Sequence, residues 1–371
     1  MAKHKLEDIC EFITDGTHQT PEYCDENGVI FLSSKDVTER KIDWDNVKYI
    51  PKTLHEQLYK RLKPQKNDIL LAKNGTTGVA AIVDRDEVFD VYVSLAVLRP
   101  KPDIYPKYLL YAINSSVAKR QFNAGLKGIG VPNLHLSVIR KTELNIAERD
   151  KQESICQLLD KVSYLIALRQ QQLEDFDNLI KARFVEMFGL PVSNSKGWPT
   201  EQMNDIAPTV NYSGEHDDKV WLLNLDMVEA QTGRILDYLM VSNDEVGNST
   251  CSFDTSNVLY SKLRPYLNKV VIPDRCGYAT SELVPLQPVK TKMNREYLAF
   301  MLRSDEFVNM ISEKVAGAKM PRVSMGDFRK FDVPVPPLDL QIQFADFVKQ
   351  IDKSKVVAEK NWNIHNVCLI A

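Results

Sequence analysis

Two kinds of hydrophobic pattern alternate along the 371 residues. The first is a set of short apolar runs broken by Gly, Pro, Asn and Asp. They are Val29–Leu32, Ile69–Ala72, Val79–Val83 and Val91–Leu98, then Val220–Leu225, Val258–Tyr260 and Lys269–Ile272. Runs of this kind between turn-forming residues predict β-strands. The second pattern is helical. Short helices are predicted over Pro106–Asn123 and Asn294–Val315, each followed by a much longer one. The first long helix is predicted from Arg149 to Phe188, where Gly189 and then Pro191 give a stop signal. The second runs from about Asp339, after Pro334, Pro336 and Pro337. Proline is tolerated there because the amides of a first turn have no intrahelical acceptor.

On the first long helix, Ile155, Leu159, Val162, Ile166, Arg169, Leu173, Phe176, Ile180, Arg183 and Met187 follow alternating steps of four and three. That is the stripe of a coiled-coil seam. On the second helix the corresponding positions are Phe344, Val348, Ile351, Lys355, Ala358, Trp362, His365 and Leu369, more polar towards the end. A 40-residue helix is roughly 60 Å long, more than a small domain needs as a cap. The two helices are therefore expected to pair antiparallel as a spacer. Arg169 and Arg183 in the stripe are read as snorkelled or paired with acids.

The correspondence between the helices is part of a wider repeat. Asn67–Lys73 resembles Ser256–Lys262, Pro106–Tyr111 resembles Arg295–Phe300, and Lys151–Ile155 resembles Leu340–Phe344. Each pair is 189 positions apart (73 and 262, 108 and 297, 152 and 341). Separated matches in one register indicate an internal duplication. The expected fold class is α+β, with two strand-rich domains related by internal pseudo-symmetry and separated by two long antiparallel coiled-coil helices. The expected divisions are residues 1–147, 148–190, 191–337 and 338–371.

Composition fits an ordinary globular chain, with 44% hydrophobic and 26% charged residues. No stretch has the apolar length of a membrane span or a signal peptide, so a cytoplasmic location and no membrane partner are expected. The six cysteines form no Cys-x-x-Cys pair, which removes the usual zinc-ribbon and thioredoxin-like readings. Net charge is −3, so any field attracting nucleic acid must be local.

Local positive charge is present in both halves. Ile104–Thr142 contains no Asp or Glu but holds Lys107, Lys119, Arg120, Lys127, Arg140, Lys141 and His135. Thr255–Pro273 is also free of acids and carries Lys262, Arg264 and Lys269, while Lys314, Lys319 and Arg322 lie between Glu313 and Asp327. Clustered cations without carboxylates suit phosphate binding, and amides, hydroxyls and Arg or Lys on loops suit base readout. Double-stranded DNA is the expected ligand. In the first half the candidate contacts are Thr17, His18, Lys73, Asn74, Lys127, Asn133 and His135. In the second half they are Tyr212, Lys262, Arg264, Lys319 and Arg322. The segment Thr14–Pro21 reads equally as an Asp-Gly turn or as a recognition loop.

Motifs for chemistry are missing. There is no phosphate-cradling Gly-x-x-x-x-Gly-Lys-Ser/Thr, no His-Glu-x-x-His and no Asn/Asp-Pro-Pro-Tyr/Phe. The glycines of Gly125–Gly130 lack dinucleotide-binding spacing, and Pro102-Asp103 has no second carboxylate following it for a nuclease metal. No metal site, no cofactor and no catalysis are expected of this chain.

This arrangement resembles the specificity subunit of a type I restriction-modification system over nearly the whole chain. The resemblance rests on Ile13–Pro21, on Asn67–Gly75 and on Val333–Gln341, the proline-rich segment before the last helix; the counterpart Leu144–Gln152 keeps the glutamine without the prolines. It implies two target-recognition domains, each reading one part of a bipartite asymmetric site. It also implies helices that set the unread gap and present surfaces to two modification subunits. Those partners would bind S-adenosylmethionine and methylate adenine at N6. A restriction and translocase subunit using ATP and Mg²⁺ would complete the assembly. Val210–Gly214 stands in the second half where the first has its Thr-Asp-Gly-Thr-His loop, so the halves are expected to read different sequences. The rival readings are a coiled-coil adaptor that binds no DNA, and an enzyme whose site has no recognisable motif.

Overall fold

A computed structural model describes residues 2–38, 40–126, 132–214, 218–315 and 319–370, with only the helical main chain described for 359–370. The chain divides into two compact units: residues 1–168 with 361–371, and residues 169–360. Each division falls inside a long helix.

In the first unit, strands Cys10–Asp15, Leu95–Pro100, Ile69–Ala72 and Ala80–Ile82 form a four-stranded antiparallel sheet in that order. A three-stranded sheet orders Lys48–Ile50, Val29–Leu32 and Phe89–Val91. Strand Ala2–Lys5 pairs separately with Glu143–Ile146. The apolar runs are continuous because both faces of the larger sheet are covered. Ile69, Leu71 and Leu98 enter a core with Leu109, Ile113 and Phe122. Leu70, Ala72 and Val97 point the other way, into a core with Phe89, Val91 and Trp44.

The second unit uses the same device. Val270–Val271, Val258–Ser261 and Leu283–Leu286 form a three-stranded sheet. Val258, Tyr260, Val270 and Leu286 face one core, while Leu259, Val271 and Leu283 face another with Trp221 and Phe253. A four-stranded sheet orders Leu239–Ser242, Lys219–Leu223, Gly277–Thr280 and Thr250–Phe253.

Two expectations are corrected here. The run Val91–Leu98 is not one strand: Phe89–Val91 and Leu95–Pro100 belong to different sheets, and a turn closed by Leu95 N to Tyr92 O (2.9 Å) separates them. Each predicted short helix is also two. Pro106–Ile113 is followed by Ser116–Ala124, and Arg295–Arg303 by Asp305–Lys314. Ser115 and Ser304 cause the breaks. Their hydroxyls accept from Ala118 N and Phe307 N, capping a new helix where the old one ends.

The long helices span Arg149–Phe188 and Leu338–Ile370. Gly189 ends the first with φ +76°, a left-handed conformation that glycine adopts without strain. Every seam position from Ile155 to Met187 is buried or half-buried, whereas Leu158, Leu165, Leu168 and Leu179 on the same helix are exposed. Within the second unit the helices touch along the seam. Phe344 packs on Phe184 and Phe188 (ring centroids 5.4 and 5.5 Å), Arg183 lies over Phe347, and Lys355 pairs with Asp177 at 2.6 Å. One partner's number falls as the other's rises, so this pairing is antiparallel. Of the two stripe arginines, Arg183 pairs with Glu186 and Arg169 donates to Gln172.

One hydrogen-bonded clamp recurs 189 positions on. Gln152 accepts from Tyr105 N (2.7 Å) and donates to Ala147 O (2.9 Å) and Asp103 O (3.5 Å). Gln341 accepts from Asn294 N (2.8 Å) and donates to Pro336 O (2.8 Å) and Lys292 O (3.0 Å). Tyr108 and Tyr297 likewise donate to Asn145 O and Pro334 O. Only one bond is dropped. Ala147 N donates to the Tyr108 hydroxyl, and its counterpart Pro336 has no N–H.

Candidate nucleic-acid interface

Asp15 organises the tip of the first unit. It ends strand Cys10–Asp15 and is nearly buried, with 7% of its surface exposed. Its Oδ2 accepts from Lys73 Nζ at 2.5 Å, its Oδ1 lies 3.4 Å from His18 Nε2, and its carbonyl accepts from Arg61. Gly16 follows because a Cβ there would overlap the Val91 carbonyl. Thr17 is then stitched into the neighbouring strand end through Thr17 N to Val91 O and Val93 N to Thr17 O (3.1 and 2.9 Å). The result is a fixed turn from which His18, Gln19 and Thr20 project into solvent.

Lys73 departs from the sequence expectation. A lysine in a polar loop was expected to face DNA, but it is 6% exposed and its charge is matched by Asp15. Its role is to tie the Asp15 turn to the end of strand Ile69–Ala72. The chain beyond it, Asn74 to Thr77, carries Gly75 at φ +74°. Asn74 forms a bridge with Asn133, and Leu134 N donates to Lys73 O at 2.9 Å. His135, exposed, then precedes the helix Leu136–Lys141. Thr17, His18, Asn74, Asn133 and His135 are thus carried on loops gathered about one buried ion pair, while Lys127 lies outside the described residues. Sequence reasoning missed Lys35, exposed in a turn that Asp36 holds through Ser33 N and Oγ (2.6 and 3.0 Å). That turn lies beside Gly75, where a Cβ would meet Ser34. The Ser-Ser-Lys-Asp motif was its only signal.

The second unit repeats the main-chain frame. Leu263 bridges Arg322, 189 positions after the Asn74–Asn133 bridge, and Val323 N donates to Lys262 O as Leu134 N does to Lys73 O. The side chains differ. Arg264 is exposed in a left-handed conformation (φ +49°), its N donating to Pro321 O at 2.8 Å. Arg322 is 52% exposed and pairs with Glu282 at 2.8 Å, a hydrogen bond that raises its already high pKa. Lys319 is exposed and Lys262 half-buried. Tyr212 is anchored elsewhere, by Tyr212 N to Ser252 O and Ser252 Oγ to Tyr212 O. Lys269, counted in the basic stretch, turns inward: burial lowers its pKa and its Nζ donates to Leu225 O. Two exposed residues were overlooked. Tyr266 follows Arg264, and Gln231 donates from Nε2 to Tyr266 O and from its main-chain N to Leu267 O.

The described residues hold no group of three or more side chains able to bind a metal ion, and no helix among them is long and apolar enough to cross a membrane. A strand-and-helix frame that recurs along the chain, tipped by unlike polar loops and joined to long paired helices, defines a recognition protein. The sequence profile described as "Type I restriction modification DNA specificity domain" matches residues 1–175 and 245–365. The chain belongs to that family. It is the specificity subunit of a type I restriction-modification system, a DNA-sequence-recognition component that is not itself catalytic.

The type I restriction enzyme EcoDI specificity subunit of Escherichia coli is 21% identical over 333 residues, 80% of this chain and 72% of that protein. The MjaVIII specificity subunit of Methanocaldococcus jannaschii is 24% identical over 183 residues, 48% and 43% of the respective chains. Among solved structures, a type I system S subunit from M. genitalium superposes with a TM-score of 0.54 at 14% identity, over 99% of this chain and 93% of that one. A chain from a study of complex assembly and conformational transition in the type I system gives 0.58 at 14%, over 99% and 94%. At such identities the likeness is one of fold.

Proposed function

We propose that the two halves are target-recognition domains related by internal pseudo-symmetry, each reading one part of a bipartite, asymmetric DNA site. The long helices fix the unread gap and offer their outer faces, with Leu158, Leu165, Leu168 and Leu179, to two modification subunits. Those subunits bind S-adenosylmethionine and methylate adenine, and restriction subunits using ATP and Mg²⁺ act in the same complex.

The observation that carries the reading is the pair of bridges Asn74–Asn133 and Leu263–Arg322, one main-chain frame bearing unlike side chains at its tip. A shared frame gives both halves the same approach to a duplex, and different tips give them different preferences. Phosphate contacts fall to exposed cations such as Lys35, Arg264 and Lys319, and base contacts to the amides, hydroxyls and arginines between them. His18, Asn74, Asn133 and His135 remain candidates in the first half, with Lys127, and Thr17 contributes through its turn. Tyr212 and Lys262 remain candidates in the second.

Selection from a random duplex pool by the full chain, alone and with the modification subunits, tests this. The expected product is a two-part motif with a constant gap. Affinity should fall steeply with salt, with a log–log slope of roughly −0.9 per phosphate contact. Binding that is absent or insensitive to salt would favour the adaptor reading.

A further inference from the structure

Glu282 and Arg322 form an ion pair at the tip of the second unit, and their main chains are anchored along one stretch, Lys262–Arg264. Lys262 N donates to Glu282 O (3.0 Å), Leu263 bridges Arg322, and Arg264 N donates to Pro321 O (2.8 Å). Glu282 takes the side edge of the guanidinium, from Nη2 at 2.8 Å and Nε at 3.4 Å. A guanidinium has five N–H donors in a rigid plane, and a carboxylate on its side edge uses two. The end edge keeps two parallel N–H groups, one from each Nη. Arg322 is half exposed, and Glu282 leaves that edge unused.

Two parallel donors match one base in the major groove. Guanine offers O6 and N7 as adjacent acceptors, whereas adenine offers an acceptor beside a donor. A phosphate could also take the fork, but it needs no fixed orientation. Here a carboxylate is placed beside the arginine, although it weakens attraction to any polyanion. That cost is reasonable for a group that must hold its plane and unreasonable for one that only adds charge. The first unit has the same frame without the pair. Lys73 N donates to Ser94 O as Lys262 N does to Glu282 O, and Asn133 stands where the second unit has Arg322.

We propose that Arg322, held by Glu282, reads a guanine in the half-site contacted by the second unit. Glu282 is a positioning residue that does not touch DNA. The inference rests on the reading of each unit as a recognition domain, and the test separates the two.

Selection is run with the full chain and its modification subunits as wild type, Arg322→Ala, Glu282→Ala and Glu282→Gln, with thermal unfolding as a check that all fold alike. The wild type should select a G at one position of one half-site. Arg322→Ala should lose that preference by roughly 10- to 100-fold, leaving every other position unchanged. Glu282→Ala should weaken the same preference, and Glu282→Gln, which keeps one acceptor oxygen, should restore part of it. If Arg322→Ala weakens all sequences alike and lowers the salt slope by about one, Arg322 is a phosphate contact and the inference fails. It fails too if Glu282→Ala leaves the G preference intact and merely tightens binding to every sequence. A wild type with no two-part preference would overturn the recognition reading itself, and this inference with it.

Discussion

Gln341 is fully buried, and its amide bonds only to main-chain atoms: Asn294 N, Lys292 O and Pro336 O. Replacing it with alanine leaves one N–H and two carbonyls without that partner, the Pro336 carbonyl in a fully buried site. A buried group left without a partner costs about 1–3 kcal/mol, so Gln341→Ala should lose on the order of 2–4 kcal/mol in urea unfolding. Gln152→Ala should do the same in the first unit. Exposed Gln343, two residues along, serves as a control expected to stay within about 0.5 kcal/mol.

A second clasp joins Asp160 on the long helix to Lys107 Nζ and Tyr111 Oη, both at 2.6 Å. Burial alone would raise the Asp160 carboxyl, but hydrogen bonds from Lys107 and Tyr111 outweigh it and hold it below its ordinary 3.8. A lowered carboxyl stabilises the fold above its unfolded value, and that contribution is lost as pH falls through the folded value. Asp160→Asn should therefore be less stable than wild type near neutral pH, by less than about 1 kcal/mol because the pair is partly exposed, with the gap closing in acid. Urea unfolding at about pH 7 and about pH 3 checks this.

Single residues were the least legible scale. Nothing near Lys73 in the sequence reveals Asp15, 58 positions away, and the same holds for Lys269 and Leu225 O, 44 positions apart. A lysine facing DNA and a lysine inside a loop look alike until the strands are paired.

At the scale of elements the sequence was far more informative. The seam of the first long helix, its Gly189 stop and the strands Val29–Leu32 and Ile69–Ala72 follow from periodicity and turn chemistry, which are local. Errors came where a local signal was overridden or overlooked. Ser115 and Ser304 were passed over as caps inside helical stretches, and Val91–Leu98 looked continuous because crossing between two buried sheets leaves no polar gap.

The proposed ruler role belongs to this scale. One heptad inserted at matching heights in both helices adds about 10 Å while keeping the seam in register. With base pairs about 3.4 Å apart, the tolerated gap should lengthen by roughly three base pairs in the selection experiment. A two-residue insertion turns everything beyond it by about 200°, puts the seam residues on the far face and should destabilise the protein instead. An unchanged gap in the heptad variant would remove the ruler.

For the whole molecule, net charge misleads and repetition informs. A charge of −3 says nothing about DNA, because a total does not show that cations such as Lys35, Arg264 and Lys319 stand exposed on a few loops. The offset of 189 residues, by contrast, was readable from three short matches. Main-chain bridges and buried glutamines recur at that same offset. Which side chains stand at the tips was not readable, because the residues there differ between the halves.

The clamps centred on Gln152 and Gln341 grip only backbone, and none of the residues they hold is among those at the tips. Mutations at the tips leave this scaffolding untouched, so new target preferences can be tried without jeopardising the fold. An ancestor carrying such a joint could gather substitutions quickly in its exposed loops and remain intact everywhere else.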